Sequence, residues 1–168
     1  MIVRLRPWRL QDAADLAAAC SNRAVQDNLR DGLPYPYTVA DAQAYILAML
    51  AADPSQLLAF AIEADGRAVG SIAAQRQQNI HARTAELGYY VAEEHWGRGI
   101  ATRAVRQMCG HVFAHTDILR IFAEPFARNA ASRRVLEKAG FILEGVLRSG
   151  AVKNGVVIDV AMYALVRE

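Results

Sequence analysis

The stretch Glu86 to Thr102, ELGYYVAEEHWGRGIAT, decides how the whole chain is read. Residues Ala85–Val91 are aromatic and aliphatic with a single glycine, the composition of a partly buried strand. Trp96-Gly97-Arg98-Gly99-Ile100-Ala101 is a glycine-rich turn, and a helical pattern follows at once to about His115. A strand, a glycine-rich turn and a helix start make an anion cradle. The turn's N–H groups converge with the positive end of the helix, which is where a phosphate is held. Gly97 and Gly99 let the backbone approach a ligand without a Cβ in the way. Ala101 is small for the same reason, and Thr102 adds a hydroxyl in the first helical turn. A tight connector has a similar composition, so the turn needs context. It has no Gly-Lys-Ser/Thr, which excludes a nucleotide-hydrolase loop, and no third glycine of the dinucleotide fingerprint.

Working outward, Leu57–Glu63 and Ala68–Ala74 read as strands joined by Ala64-Asp65-Gly66-Arg67, a hairpin turn. Gln75–Arg83 is a polar crossing. Toward the N-terminus, Ile2, Val3 and Leu5 alternate with Arg4 and Arg6 as a first strand ended by Pro7, and Asp12 is expected to cap a helix over Ala13–Cys20. Ser21–Tyr37, with its prolines and aromatics, reads as a long ordered loop, and Thr38 caps a helix to about Ala52 with Asp41 in its first turn. In the helix after the turn, Ala101, Val105, Met108 and Val112 mark the buried face. Then come a strand over Ile118–Glu124, a helix capped by Asn129 and closed at Gly140, and strands over Phe141–Leu147 and Val156–Val166, with a second hairpin turn at Lys153-Asn154-Gly155. The expected order is β-α-α-β-β-β-α-β-α-β-β, an α+β fold with a mixed, mostly antiparallel sheet flanked by helices.

The 168 residues suffice for one domain with a core, expected to span the chain. The net charge of +2, with Lys and Arg scattered along the chain, argues against nucleic acid and suits a polyanionic small ligand. No secretion signal and no bilayer-length apolar run is read, so the expected compartment is cytoplasmic, with no membrane partner. Cys20 and Cys109 are far apart in helical patterns and read as buried small hydrophobes, with no metal expected.

The second constellation is Asn129-Ala130-Ala131-Ser132, followed by Val135-Leu136-Glu137-Lys138-Ala139-Gly140-Phe141. Ser132 shares a helix face with Val135 and Leu136 and needs a hydrogen-bond partner there. It either back-bonds within its own helix or meets a group in a cleft, where it could serve a leaving thiolate as a proton donor.

With these motifs in place, the chain resembles the GNAT superfamily of acetyl-CoA-dependent N-acetyltransferases, in its RimJ/RimL-type branch. Trp96-Gly97-Arg98-Gly99-Ile100-Ala101 occupies the family's Gln/Arg-x-x-Gly-x-Gly/Ala motif. Asn129-x-x-Ser132, the Leu136-Glu137-Lys138-x-Gly140-Phe141 run, Asp159 with Tyr163, Arg4-Leu5-Arg6 and Pro36-Tyr37-Thr38 are similar to the branch pattern. The resemblance implies acetyl-CoA as co-substrate. Backbone groups of Tyr89, Tyr90 and Val91 would pair with the pantetheine arm in a splay beside the next strand. N–H groups of Gly97, Arg98, Gly99, Ile100, Ala101 and Thr102 would hold the pyrophosphate. Asn129 would hydrogen-bond the pantetheine, and Ser132 would stand near the thioester sulfur. The family's frequent Tyr acid falls on Leu136, so Ser132 substitutes or water assists the thiolate. Arg103 stands where branch members often have Glu, either against the cofactor or on an exposed helix face.

Amine attack requires a base or a water chain. Glu86 is the candidate base, on one strand face with Gly88 and Tyr90, and His95 and Glu63 are lesser candidates. The acceptor reads as a primary amine, a protein N-terminus or a small molecule such as a polyamine, drug or amino-acid-like amine. A non-catalytic acetyl-CoA-binding module is the other function class. The family also implies a possible homodimer. Acceptor choice is expected from Ser21–Tyr37, the first two helices and the Lys153-Asn154-Gly155 turn, where Asp27 and Asp31 are the acidic residues counted.

Overall fold

In the computed structural model, which describes residues 1–168, the strands build one seven-stranded sheet whose central members are buried by helices on both faces. The strands are β1 (Val3–Arg6), β2 (Leu57–Ala64), β3 (Arg67–Arg76), β4 (Thr84–Val91), β5 (Arg120–Ala123), β6 (Ile142–Lys153) and β7 (Val156–Val166), in spatial order β1-β2-β3-β4-β5-β7-β6. All neighbours are antiparallel except β4 and β5, which the helix α4 (Ile100–His115) connects as a crossover. The Asp65-Gly66 and Asn154-Gly155 turns have positive φ at both residues, the conformation a two-residue hairpin turn requires.

Each sheet face has its own core. α4 and α5 (Ala130–Lys138) cover one face, where Ile100, Val105, Met108, Val112 and Leu136 pack on Ile62, Ile72, Leu87 and Tyr163. α1 (Ala13–Cys20) and α3 (Val39–Ala51) cover the other, with Leu16, Cys20 and Ile46 against Ala61 and Ala68. Thr38 and Asp41 form the expected reciprocal cap on α3. Val105, Met108 and Val112 are buried as expected, whereas Ala101 is only half-buried and Ile100 and Ala104 take its place on the inner face.

Two local expectations are corrected. Ser21–Tyr37 is not continuous loop: Asn22 accepts from the Val25 N–H and caps a short helix, α2 (Arg23–Gln26). Asp12 does not cap α1 through its side chain. Its carboxylate instead receives both guanidinium nitrogens of Arg6, at 2.8 and 2.9 Å, and the Arg9 N–H. Arg6 also bonds Glu63, which Arg4 bonds from its other side. A buried charge is tolerated only when paired, and this cluster joins β1, β2 and the entry to α1. Burial pushes the Asp12 carboxyl up, but Arg6 and the Arg9 N–H bring it below its ordinary value. Arg6 first, then Arg4, lowers that of Glu63.

Removing the guanidinium leaves Asp12 uncompensated, so Arg6→Met should cost about 3 kcal/mol in urea denaturation. Carboxylates held low stabilise the fold above their unfolded values, near pH 4, and lose that contribution as pH falls through the depressed ones. The Arg6→Met protein should therefore lose less stability than the parent between about pH 5 and pH 3.

Candidate active site

β4 and β5 hydrogen-bond only from Thr84 opposite Arg120 to Glu86 opposite Phe122. Beyond Glu86 the strands part. The parity of β4 follows from two hydrogen bonds: the Ala92 N–H donates to Val69 of β3, and the Leu119 N–H donates to Arg83 from the β5 side. Even-numbered residues of β4 therefore spend their backbone groups on β3, and odd-numbered ones turn them toward β5. Leu87, Tyr89 and Val91 thus present backbone groups to the open gap. The Val91 carbonyl accepts the Trp96 indole N–H at 2.7 Å, which ties the glycine turn to the end of the strand. Tyr90, expected beside them, pairs its backbone with Ser71 of β3. Its hydroxyl accepts from the Cys20 thiol at 3.1 Å in the α1 core, and burial holds the phenol far above its ordinary value.

The turn that follows has the geometry of an anion cradle. Gly97 and Gly99 both have φ +74°, and Gly99 is the left-handed residue at the α4 N-terminus, with no side-chain cap. The N–H groups from Gly97 through Thr102 donate to no atom of the protein; the first helical bond across the boundary is Arg103 to Gly99. These are the orphan donors of a helix start, and they point where an anion is stabilised. No acidic residue lies in the first turn of α4. Arg98 is exposed, while the side chains of Ile100 and Thr102 are buried, so only their backbone N–H groups lie at the turn. Arg103 is exposed and bonds the Met1 carbonyl at 3.3 Å.

On the α5 side of the gap, the Asn129 side-chain oxygen caps the helix by accepting the Ser132 N–H at 3.2 Å, and its amide group makes no bond to the protein. Ser132 neither back-bonds within its helix nor lies alone. Its Oγ is 2.7 Å from the Tyr89 hydroxyl, whose single proton has two acceptors in reach, this oxygen and the Ser132 carbonyl at 3.3 Å. Burial pushes the Tyr89 phenol up to about 12, with the Ser132 contact acting against it. The family resemblance singled out Tyr89 for its backbone; no local signal foretold a side-chain partner 43 residues along the chain.

Glu86 points to the opposite face, beside the α1–α3 layer. It is open to solvent by surface area yet hemmed in closely enough that desolvation, then the Glu124 carboxylate, pushes its carboxyl up, while Arg30 pulls it down. Glu124 was missed by sequence reasoning. It stands two residues beyond Phe122, the register partner of Glu86, so both carboxylates share one face where the strands part. Arg30 is near enough for its charge to act on Glu86, and its neighbour Asp31 is anchored, with Lys153 at 3.1 Å and the Asn154 N–H at 3.3 Å on its carboxylate. The lesser base candidates lie elsewhere. Glu63 is locked by Arg4 and Arg6. His95 lines a separate cavity of about 310 Å³ with Asp15, Asn22 and Arg67. No His, Cys, Asp and Glu group is arranged to hold a metal ion. No helix is long and apolar enough to cross a membrane.

Comparison with known proteins adds to this geometry. Residues 3–142 match the family model described as the acetyltransferase (GNAT) domain. An uncharacterized N-acetyltransferase of Bacillus subtilis, YoaA, is 36% identical over 99 residues, 59% of this chain and 55% of its own. The ribosomal-protein-serine acetyltransferase of Escherichia coli is 31% identical over 105 residues, 62% of this chain and 58% of its own. The chain thus spans little more than half the length of these curated relatives. The structure of Mycobacterium smegmatis RimJ in complex with CoA-disulfide superposes with a TM-score of 0.87 at 29% identity, covering 98% of this chain and 81% of that one.

The carboxylate pair has a direct spectroscopic consequence. In Glu124→Gln, the Glu86 carboxyl should titrate at lower pH than in the parent, though still above an ordinary glutamate, because desolvation remains. Carbon NMR of labelled glutamate side chains reads the midpoint.

Proposed function

This chain belongs to the GNAT acetyltransferase family, and on that premise we propose that residues 1–168 act as one N-acetyltransferase domain. It moves the acetyl group of acetyl-CoA to a primary amine, by preference the free N-terminus of a protein. The observation that carries the reading is the run of unpartnered N–H groups from Gly97 through Thr102, opening beside the unpaired edge of β4. The N–H run suits the pyrophosphate. The outward groups of Tyr89 and the Val91 N–H suit the amides of the pantetheine arm, and the Asn129 amide group is available to the same arm. Ser132 stands near the thioester sulfur on this reading. The side chain of Tyr90 lies outside this path.

The acetyl transfer follows from where charge develops. A neutral amine attacks the thioester carbon, and an N–H of the open β4 edge stabilises the developing oxyanion. Glu86, raised by its surroundings and sharing its face with Glu124, takes the amine's proton directly or through water. The RimJ likeness and the serine acetyltransferase relative favour a peptide acceptor. A polyamine is disfavoured by the charge balance: Lys153 neutralises Asp31, and the charge of Arg30 acts on Glu86. Pairing into a homodimer belongs to the same proposal, supported by the β6 edge strand, where Ile142 and Val152 are 71% and 61% exposed.

Thiol release from acetyl-CoA should be faster with free-N-terminal peptides than with the same peptides acetylated or with spermidine. Equal rates across these acceptors would defeat the peptide reading. Glu86→Gln should lower turnover by about tenfold or more and flatten the acid limb of its pH profile. A Cβ at Gly99 meets no protein atom within 4 Å, so Gly99→Ala strains the backbone by only about 1 kcal/mol. It should nonetheless weaken acetyl-CoA binding by at least about tenfold in calorimetry, by crowding the cradle.

A further inference from the structure

The side chain of Tyr89 has no part in the reaction as drawn above, yet it lies against the residue closest to the chemistry. We propose that Tyr89 is a positioning residue for Ser132. Its phenol donates to Ser132 Oγ, so the serine's own O–H is turned toward the sulfur that leaves as thiolate. This rests on the reading of Ser132 as the group beside the thioester.

The direction of the hydrogen bond is decided by donor strength. The two oxygens are 2.7 Å apart and either could donate. A phenol is far more acidic than an aliphatic hydroxyl and is the better donor. The other acceptor within reach, the Ser132 carbonyl, is farther at 3.3 Å, so the phenol's single proton goes to the nearer Oγ and leaves the serine's own O–H free. The Ser132 N–H is already committed to Asn129, which fixes the helix start and leaves the serine rotamer to Tyr89. Tyr89 is itself held, half-buried against the α4 core. One residue therefore offers its backbone to the arm and its hydroxyl to the serine that faces the arm's end.

The same chemistry limits what the pair does. The amine nitrogen forms its bond to the acyl carbon, the C–S bond breaks with its electrons going to sulfur, and the amine's proton leaves toward Glu86 or water. An ordinary thiol titrates near 8.5, whereas burial holds the Tyr89 phenol at about 12. A proton relay from Tyr89 through Ser132 to sulfur would run uphill by about three orders of magnitude. The pair therefore stabilises the thiolate by a hydrogen bond, and the sulfur takes its proton from solvent after leaving.

The test is a mutant cycle on the full chain, using whichever amine or peptide is turned over fastest in the acceptor screen. Tyr89→Phe keeps the ring and its packing. Single-turnover thiol release should fall about tenfold in Tyr89→Phe and in Ser132→Ala, with acetyl-CoA affinity by calorimetry within about twofold of the parent. The double variant should be no slower than Ser132→Ala, because Tyr89 acts only through the serine. A parental rate in Tyr89→Phe beside a slow Ser132→Ala overturns the positioning role alone. So does multiplication of the two losses, or a Tyr89→Phe defect confined to acetyl-CoA affinity. A parental rate in Ser132→Ala overturns the reading of the serine and this inference with it, and so does a protein that turns over no acceptor.

Discussion

The structure depends on one loss of pairing: after Glu86 and Phe122, β4 and β5 no longer hydrogen-bond. The cause lies on the β5 side. Pro125 follows the strand and has no N–H to give. The chain beyond it is captured by β7, through Ala127 donating to Asp159, Ala161 donating to Pro125 and a bridge from Phe126 to Val160. β4 meanwhile stays with β3 to its end at Val91. Two strands held by different neighbours must separate, and the gap between them exposes a strand edge inside the fold rather than at its rim.

The pleat then sorts chemistry onto the two faces of that gap. Odd residues of β4 turn toward α4 and α5, so Tyr89 meets Ser132 there. Even residues turn toward α1 and α3, so Glu86 and Tyr90 lie on that side. A one-residue slip would exchange the two sets. The register is held well away from the gap, by the long β2–β3–β4 pairing and by the buried cluster of Arg6, Asp12 and Glu63 at the β1 edge.

The Glu86 face of the gap is flanked by distant parts of the chain. Asp31, in the segment between α2 and α3, accepts from Lys153 and Asn154 at the last hairpin turn. Arg128 reaches the Asp27 carbonyl at 3.1 Å from the approach to α5. These contacts fix the segment that carries Arg30, whose charge is felt at Glu86. Lys153 is buried at this junction, so its charge is tolerated only because Asp31 answers it.

Much was legible in the sequence because its signals are local. The glycines of the turn, the Thr38 and Asn129 caps and the Asp65-Gly66 and Asn154-Gly155 turns act within a few residues, and the structure has each where the pattern put it. The family resemblance, carried by the order of such motifs, extended that reading to the fold. Asp12 escaped it because a helix cap and a buried ion-pair partner are the same residue type, and only Arg6 across the fold separates them. Glu124 escaped it because its meaning depends on which strand β5 pairs with and in what register, which no short stretch encodes. Tyr89 and Ser132 were both singled out, but not as partners. The sequence by itself determined the glycine turn and its open helix start, since backbone conformation and helix ends are set by neighbouring residues. Tertiary structure alone decided which side chains share the gap, because hydrogen bonds and charge interactions depend on distance in space.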